Sequence, residues 1–286
     1  MDKTAPRNLK EALQGKLSAK ESELLRTSYD TLGNIAIIEI PNGLEKKEKA
    51  IAKALLLVNK SVKTVCKKTG AHKGIYRIEP VKIIAGEKNF LATYRESGSV
   101  FYVPLGKVFF SPRLGTERLR IAREIKKGEV IGAFFAGVGP FPIVFARNSP
   151  MARAVAIELN PVAVTWMKKN IIANKVQAKV EAVKGDVKKI VPRKYRGAFD
   201  RVVMPLPKGA ENFLREAIIS IKPKGGVIHF YSFVPAADPF TGPVKKINEA
   251  AKKLKRKVKV IFKRQVRTFS KETVQVVVDF RVGKPK

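Results

Sequence analysis

The stretch that decides the fold is residues 130–141, which read Val-Ile-Gly-Ala-Phe-Phe-Ala-Gly-Val-Gly-Pro-Phe. It is an uncharged run, rich in β-branched and aromatic residues, that passes directly into a Gly-x-Gly turn. The run predicts a buried strand, and the glycines predict a turn whose main chain can approach a ligand closely. We therefore expect Phe135, Gly137 and Gly139 to line a ligand site at the end of this strand.

Strands and helices alternate after this stretch. Further strands are predicted at 153–157, 179–184, 201–204 and 226–231, with helices at 163–174 and 210–221 between them. This alternation predicts a mostly parallel, doubly wound α/β sheet, in which ligands bind at the carboxyl ends of the strands. The segments 257–262 and 273–280 predict a closing antiparallel hairpin.

The next three strands each end in residues that can bind a nucleoside. Glu158 lies 19 residues after the second glycine of the turn, where its carboxylate can accept from both ribose hydroxyls, and Asn160 follows it. Asp186, after the third strand, can accept from an adenine amine. Pro205 and Leu206 follow the fourth strand and complete the predicted cofactor site.

The cofactor is predicted to lack a pyrophosphate. A dinucleotide site usually has the pattern Gly-x-Gly-x-x-Gly, whereas Pro140-Phe141-Pro142 offers few N–H donors at the start of the helix. S-adenosylmethionine carries no phosphate and therefore fits this turn better. The alternative is an unrelated doubly wound domain whose loops have no such role.

The charge balance predicts a polyanionic partner. The chain has 286 residues, with 58 Lys and Arg against 24 Asp and Glu, which gives a formal net charge of +34. A membrane is not the expected partner, because we find no lipidation signal and no basic amphipathic helix with large apolar anchors. The uncharged run 130–146 is too short and too rich in Gly and Pro to span a bilayer. Nucleic acid is therefore the expected partner, although a general use of Lys at the surface accounts for part of the excess positive charge.

Cysteine and histidine are scarce. The single cysteine, Cys66, excludes an internal disulfide, and with only His72 and His229 no metal site is expected. His229 lies in a predicted strand and is interpreted as a core histidine. One thiol fits a reducing cytoplasm, and the start of the chain lacks the apolar segment of a signal peptide. We expect a cytoplasmic protein.

The first third of the chain predicts a smaller α/β unit, so that we expect one domain at 1–105 and a cofactor-binding domain at 106–286. Within the smaller one, the basic, glycine-bearing loop 67–74 suits phosphate contact and contains Lys73. Phe110 adjoins Ser111-Pro112-Arg113 and is predicted to stack on a flipped-out base, with Arg113 beside it.

A basic stripe lies near the end of the chain. Residues 245–264 contain ten basic residues and one acidic residue, Glu249. Such a stripe would position phosphates of a nucleic acid, although a solvated helix face is the simpler alternative. The RNA-binding residues predicted in it are Lys252, Lys253, Lys255 and Arg256.

Four motifs together resemble a known family. The run 109–118 (Phe-Phe-Ser-Pro-Arg-Leu-Gly-Thr-Glu-Arg), the turn 135–141, Glu158 to Pro161 and Asp200 to Pro207 are similar to the archaeal and eukaryotic tRNA guanine-37 N1-methyltransferases and their wyosine-pathway relatives. The resemblance extends from about residue 17 onward. It implies a class I methyltransferase sheet preceded by a small α/β RNA-binding domain, with tRNA, at its anticodon loop, as the partner.

The resemblance also implies roles for two residues. Glu117, in the Thr-Glu-Arg motif, corresponds to the family's general base, and Arg77, in Gly-Ile-Tyr-Arg, to the cation that stabilises charge on the base. Removing a proton as the methyl group arrives needs a positioned acceptor, and electrons drawn to an exocyclic oxygen need a cation. The alternative is that Glu117 and Arg118 form a pair on a helix surface.

One departure from the family pattern points to the target atom. At this position the guanine N1 enzymes have a motif similar to Asn-Leu-Pro, whereas this chain has Pro205-Leu206-Pro207. The difference removes a side-chain amide that could bind the target base. The archaeal subgroup that methylates C7 of 4-demethylwyosine at position 37 of tRNA-Phe is similar in this respect. Pro205 is therefore assigned to the catalytic site, and C7 methylation to isowyosine is favoured over guanine N1 methylation.

Other functions remain open from the sequence. Aminocarboxypropyl transfer within the wyosine pathway and a non-catalytic RNA-binding protein are the lower alternatives. The extra N-terminal domain of many archaeal members is expected to be absent or vestigial, because about sixteen residues precede the matched region. We expect a monomer.

Overall fold

The computed structural model describes residues 6–70, 74–206 and 208–285. The chain forms two compact units. The first comprises residues 1–96 and 100–112, and the second comprises residues 97–99 and 113–286. Each unit has its own sheet and its own hydrophobic core.

The first unit is a four-stranded sheet covered by a helix. Its elements are α1 (Leu9–Ala12), α2 (Ala19–Leu24), β1 (Asp30–Leu32), β2 (Ile35–Ile38), α3 (Glu48–Val58), β3 (Thr64–Lys68) and β4 (Val81–Gly86), followed by the two-stranded sheet of β5 (Leu91–Glu96) and β6 (Ser99–Pro104). Strand β2 pairs parallel to β3, and the pairs β1–β2 and β3–β4 are antiparallel. The apolar side of α3, with Ile51 and Leu55, packs in one core with Val65 of β3. Burial raises the pKa of the Cys66 thiol to about 11, which makes it an unreactive core residue.

The second unit contains seven strands and six helices within the described residues. These are α4 (Gly115–Glu124), β7 (Val130–Phe134), α5 (Pro140–Asn148), β8 (Arg153–Glu158), α6 (Pro161–Ala173), β9 (Val180–Lys184), α7 (Val187–Lys194), β10 (Arg201–Met204), α8 (Leu214–Ser220), β11 (Gly226–Pro235), α9 (Thr241–Lys253), β12 (Arg256–Thr268) and β13 (Thr273–Pro285). They form one sheet in the order β12-β13-β11-β10-β7-β8-β9.

The predicted doubly wound sheet is confirmed. Strands β7 to β11 pair parallel throughout, and β13 and β12 close the sheet as an antiparallel hairpin. The chain adds β8 and β9 on one side of β7 and β10 and β11 on the other. The strand order therefore reverses between β7 and β10, which is where such sheets open a crevice for a ligand.

The hairpin is longer than the sequence predicts. Strand β12 runs to Thr268, beyond the predicted end at Phe262, because it lies at the edge of the sheet. An edge strand keeps its main-chain pairing while its outward side chains are charged, so its apolar pattern fades before the strand ends. The uncharged run 130–146 is strand β7, the turn and most of α5. Within the described residues, no helix is long and apolar enough to cross a membrane.

A buried contact between a histidine and an aspartate joins the hairpin to the parallel strands. His229 of β11 lies directly opposite Asp279 of β13, and its Nδ1 is 2.7 Å from an Asp279 oxygen. The other oxygen of Asp279 accepts a hydrogen bond from Arg120 of α4 at 2.7 Å. Burial opposes the charge on Asp279, but the facing His229 and Arg120 hold the pKa of this carboxyl below its usual range. His229 is a paired core residue, as predicted.

Replacing Asp279 by Asn should destabilise the fold strongly. The substitution removes one of the two buried carboxylates that Arg120 binds, the other being Glu117, and breaking such a buried ion pair costs about 3–5 kcal/mol. Because the folded pKa is lowered, the stabilisation by Asp279 is present above its unfolded value of about 3.9 and is lost as the pH falls below that. Urea denaturation from pH 3 to 7 measures both effects.

Glu249→Gln is the control for this measurement, because Glu249 is exposed on α9. Its free energy of unfolding should stay within about 0.5 kcal/mol of the wild type. An Asp279→Asn variant as stable as this control would contradict the structural role of the pair.

Candidate cofactor and catalytic site

The turn after β7 has an unusual main chain. Phe135, Gly137 and Gly139 all have positive φ angles, of 55°, 56° and 89°. A Cβ atom at Gly139 would lie 3.0 Å from Met167 and 3.1 Å from Ile143, so only glycine fits there. Phe135 pays about 1–3 kcal/mol for this conformation. A non-glycine residue held in this way is typical of a ligand-binding turn.

Glu158 is the last residue of β8 and faces the same turn. One carboxylate oxygen accepts from Gly137 N–H at 2.7 Å and the other from Asn160 N–H at 2.8 Å. Burial raises the pKa of Glu158, while these main-chain donors partly oppose the rise. The carboxylate is thus fixed in place, and its remaining lone pairs can accept hydroxyl groups of a ribose.

Two other predicted cofactor residues act as helix caps. The Asn160 side chain accepts from Val162 N–H at 3.0 Å at the start of α6, and that of Asp186 accepts from Lys188 N–H at 2.9 Å at the start of α7. Asn160 is 4% exposed, so it shapes the loop after β8. The second oxygen of the Asp186 carboxylate stays available to a ligand.

Apolar residues complete this edge. Pro205 and Leu206 follow β10 and are half-buried, and Phe135 packs edge to face with Phe213 at 4.8 Å. Leu159 is 42% exposed beside the Glu158 carboxylate. An acid for ribose hydroxyls, a half-buried acid two residues after β9 and an exposed apolar side chain fit a nucleoside without a phosphate. These residues therefore fit S-adenosylmethionine.

Glu117 lies on α4 and is completely buried. It accepts hydrogen bonds from Tyr231 hydroxyl at 2.8 Å, from Arg120 at 3.0 Å and from Arg264. Burial raises the pKa of Tyr231 well above its usual value, and the adjacent Glu117 raises it further, so this hydroxyl keeps its proton. The alternative of a surface pair with Arg118 is wrong, since Arg118 is 1% exposed and lies over the Phe141 ring.

Arg120 connects Glu117 to the buried pair of the sheet. Its guanidinium donates to Glu117, to Asp279 and to Glu124. Burial alone would lower the pKa of Arg120, but the hydrogen bonds to Glu117 and Asp279 raise it above its usual range. The predicted base is therefore part of a network that is anchored in the middle of the sheet.

One group of side chains has the spacing of metal ligands. Possible ligand atoms of Glu124, His229 and Asp279 lie within 4.8 Å of one another. Two guanidinium groups already occupy this cluster, because Arg120 binds Glu124 and Asp279 while Arg201 lies 2.7 Å from His229. The positive charge that a cation would bring is thus supplied by arginines.

The predicted residues of the first unit are placed as follows. Arg77 is half-buried in a turn with a φ of 52°. Phe110 is half-buried against Tyr94 and Phe101, at 5.3 and 6.1 Å, so that part of its ring is used in packing. Lys73 lies outside the described residues.

The basic loop predicted at 67–74 is partly a strand. Lys67 and Lys68 belong to β3, and they form ion pairs with Glu48 and Glu79. The sequence misled here because the apolar residues of β3 end before the strand does. These two lysines are therefore engaged within the protein.

The predicted stripe 245–264 is divided between a helix and a strand. Lys252 and Lys253 are exposed at the end of α9, and Lys255 is exposed in the turn before β12. Arg256 is half-buried, and its guanidinium donates to the main-chain carbonyl of Gly283 at 2.9 Å. Arg113, at the start of the second unit, is exposed. The three lysines and Arg113 stay predictions as RNA contacts, and Arg256 supports the hairpin.

Comparison with known proteins decides the family. A model of the TRM5/TYW2 methyltransferase domain matches residues 92–261, and a model of the TYW2 N-terminal domain matches residues 9–89. The chain belongs to the TRM5/TYW2 methyltransferase family. As a member of this family it is a tRNA methyltransferase, and the predicted use of S-adenosylmethionine is confirmed. The predicted family is likewise confirmed, but its wyosine subgroup is not decided by these matches.

Two curated relatives have different target atoms. The tRNA (guanine(37)-N(1))-methyltransferase Trm5b of Pyrococcus abyssi is 41% identical over 259 residues, which cover 91% of this chain and 76% of that protein. The tRNA 4-demethylwyosine(37)-methyltransferase Taw21 of Saccharolobus solfataricus is 33% identical over 206 residues, which cover 72% of this chain and 77% of that protein.

Solved structures agree with the fold. The crystal structure of Trm5b from P. abyssi matches with a TM-score of 0.84 and 39% identity, covering 93% of this chain and 78% of that one. The complex of aTrm5 and tRNALeu matches with a TM-score of 0.85 and 31% identity, covering 98% of this chain and 79% of that one.

Three residues around Glu117 were not predicted from the sequence. Arg120 follows Glu117 by three residues on α4, whereas Arg264 binds Glu117 and Asp279 binds Arg120 from distant parts of the sequence. One signal was present: Asp279 is a lone carboxylate in the run Val-Val-Val-Asp-Phe at 276–280. A charge in a buried strand requires a buried partner, although its identity depends on the fold.

Glu158→Gln should weaken S-adenosylmethionine binding about 10- to 100-fold, because hydrogen bonds to a charged group contribute about 1.5–3 kcal/mol. The raised pKa of Glu158 adds a pH dependence. In the wild type the affinity should fall on acidification at a higher pH than for an ordinary glutamate, and the variant should lack this step. Isothermal titration calorimetry with the cofactor between pH 4.5 and 8 measures both.

Glu181→Gln, at an exposed position of β9, provides a matched control that should bind the cofactor like the wild type. Unchanged affinity in Glu158→Gln would remove Glu158 from the cofactor site.

Proposed function

We propose that this methyltransferase modifies the nucleoside at position 37 of tRNA-Phe, with C7 of 4-demethylwyosine as its favoured target. The observation that carries the proposal is Pro205 at the carboxyl end of β10, next to the cofactor edge of the sheet. The proposal goes beyond the family, whose curated members include both guanine N1 and 4-demethylwyosine enzymes.

Pro205 changes which hydrogen-bonding groups this edge of the sheet presents to the target nucleobase. Proline has neither a side-chain amide nor a main-chain N–H, so the position directly after β10 presents only its ring and its carbonyl. The next N–H group, that of Leu206, is used in a hydrogen bond to the Met204 carbonyl at 2.9 Å. An apolar position of this kind suits the tricyclic wyosine precursor, which has an added ring to pack and needs no contact to a guanine N1–H.

The other roles belong to Glu117 and Arg77. When bound, S-adenosylmethionine supplies an electrophilic methyl group. Whether the bond forms at a ring carbon or a ring nitrogen, that atom loses its hydrogen as a proton, and Glu117 is proposed to accept it. Arg77 is proposed to stabilise the negative charge that develops on the base.

The RNA contacts are proposed to come from both units. In the first unit, Lys73 would bind phosphate and Phe110 would stack on the base. In the second unit the exposed basic residues Arg113, Lys252, Lys253 and Lys255 would neutralise phosphates of the anticodon stem. A related protein has been captured with tRNALeu, which supports tRNA as the polyanion implied by the charge of +34.

Guanine N1 methylation is the second candidate. It is favoured by the 41% identity to Trm5b of P. abyssi across 91% of this chain. Both candidate reactions use the same cofactor, the same proposed general base, Glu117, and the same tRNA position. They differ in the nucleobase atom that is presented to the methyl group. One enzyme can therefore have both activities.

The product test compares two substrates. Purified protein is incubated with S-adenosylmethionine and with tRNA-Phe that carries either guanine or 4-demethylwyosine at position 37, and the nucleosides are identified by mass spectrometry. We expect isowyosine from the second substrate, formed faster than N1-methylguanosine from the first. Methylation of the guanine substrate alone would select the second candidate, and no product from either would refute both.

Pro205→Asn should shift the product ratio toward N1-methylguanosine. The new side-chain amide can bind a base edge, and one correctly placed hydrogen bond is expected to change the ratio by about tenfold. The same mass-spectrometric assay measures the ratio, and Pro223→Asn, in the loop before β11, is the control. An unchanged ratio would mean that Pro205 does not select the target atom.

Glu117→Ala should lower the single-turnover rate of either reaction about 10²- to 10⁴-fold. The affinity for S-adenosylmethionine should be retained, because Glu117 is not among the residues of the cofactor edge. Rapid-quench measurement of the rate and calorimetric measurement of the affinity separate the two. A small rate loss would assign proton removal to another group.

A further inference from the structure

Glu117 cannot accept a proton in the arrangement that the structure shows. One oxygen accepts from Tyr231 and Arg120, and the other from Arg264 and Arg120. The carboxylate has no exposed surface. If Glu117 is the base, as proposed above, one of these donors must leave it before the reaction.

Arg264 is the donor that can leave. The side chain of Arg120 is 16% exposed and is held by Glu124 and Asp279 as well, and Tyr231 is completely buried. The Arg264 side chain is 40% exposed, and Glu117 is its only ion-pair partner among residues 6–70, 74–206 and 208–285. Moving Arg264 therefore breaks one interaction with a carboxylate, whereas moving Arg120 breaks three.

The structure around Arg264 favours an anionic ligand. Arg264 lies on the edge strand β12, which also carries Lys257, Lys259 and Lys263 with their side chains exposed. The Nε atom of Arg264 is buried and has no hydrogen-bond partner within the described part of the chain. Its guanidinium thus has an unused donor beside the one that binds Glu117. Phosphate groups bind guanidinium through two such donors at once.

We propose that Arg264 binds a phosphodiester group of the tRNA and that this exchange releases Glu117 to act as the proton acceptor. In the free protein Arg264 neutralises the buried carboxylate. When RNA lies along β12, a phosphate competes for the guanidinium, and the neighbouring lysines raise the local concentration of phosphate. Loss of a cation makes a carboxylate a better proton acceptor. Arg264 is then a positioning residue that couples RNA binding to the chemistry.

The coupling can be measured by RNA binding alone. Fluorescence anisotropy gives the affinity for labelled tRNA-Phe transcript, without cofactor, for the wild type, Glu117→Gln, Arg264→Gln and the double variant. Glu117→Gln weakens the hold on Arg264, so its affinity should rise about tenfold. In the Arg264→Gln background the same change should have no effect. Glu124→Gln removes a neighbouring negative charge without touching Arg264 and should change the affinity less than about twofold.

Salt dependence gives a second readout. In Arg264→Gln the slope of log affinity against log salt should fall by about 0.7–0.9, the value for one lost phosphate contact, and Arg264→Lys should restore it. A purely structural role of Arg264 would not change the slope. The half-exposed Arg264 variants are expected to fold even if Glu117→Gln does not, and thermal melting checks all variants.

Two outcomes would overturn the proposal: a gain in Glu117→Gln that is the same with and without Arg264, or an unchanged salt slope in Arg264→Gln. Both are independent of the methylated product. If the effects of Glu117 and Arg264 on RNA affinity are coupled but no product forms at position 37, only the proposed function is refuted. If the product forms but the effects of Glu117 and Arg264 on RNA affinity are independent, only the proposed role of Arg264 is refuted.

Discussion

The buried carboxylate of Asp279 is the constraint on which the second unit depends. It faces His229 across the only antiparallel junction to the parallel strands, within the described residues, and it binds Arg120 of the helix that carries Glu117. A charge in this position must be matched on all sides, because an unpaired buried charge costs several kcal/mol. The contacts of Asp279 therefore link the parallel strands, the hairpin and helix α4 to one another. Through Arg120 they also help to position Glu117.

The cofactor edge is built in a different way. There the main chain carries the strain, at Phe135 and the two glycines, and the side chains of Asn160 and Asp186 hold the loops by capping helices. The half-buried carboxylate of Glu158 is likewise held by main-chain N–H groups, those of Gly137 and Asn160. The cofactor edge and the surroundings of Glu117 thus depend on separate sets of interactions.

Local patterns in the sequence predicted much of this architecture. Strand β7, the glycine turn and the carboxylate of β8 follow from residues close together in the chain, because hydrophobic periodicity and turn chemistry are local properties. The surroundings of Glu117 could not be found in this way. Arg264 and Tyr231 reach it only through the pairing of β12, β13 and β11, so the sequence gives their types but not their distances. Lys67, Lys68 and Arg256 show the opposite error, in which basic residues suggest RNA contacts and instead bind their own protein.

The pairing of Arg201 with His229 has a consequence for the catalytic cycle. A guanidinium can only donate, so the ring nitrogen 2.7 Å from it must accept, and the other ring nitrogen lies 2.7 Å from Asp279. Arg120, between Asp279 and Glu117, likewise has no lone pair to receive a proton. A proton on Glu117 therefore cannot pass through Arg120 to Asp279 and His229. If Glu117 is the proton acceptor, as proposed above, the proton has to leave it on a side other than that of Arg120.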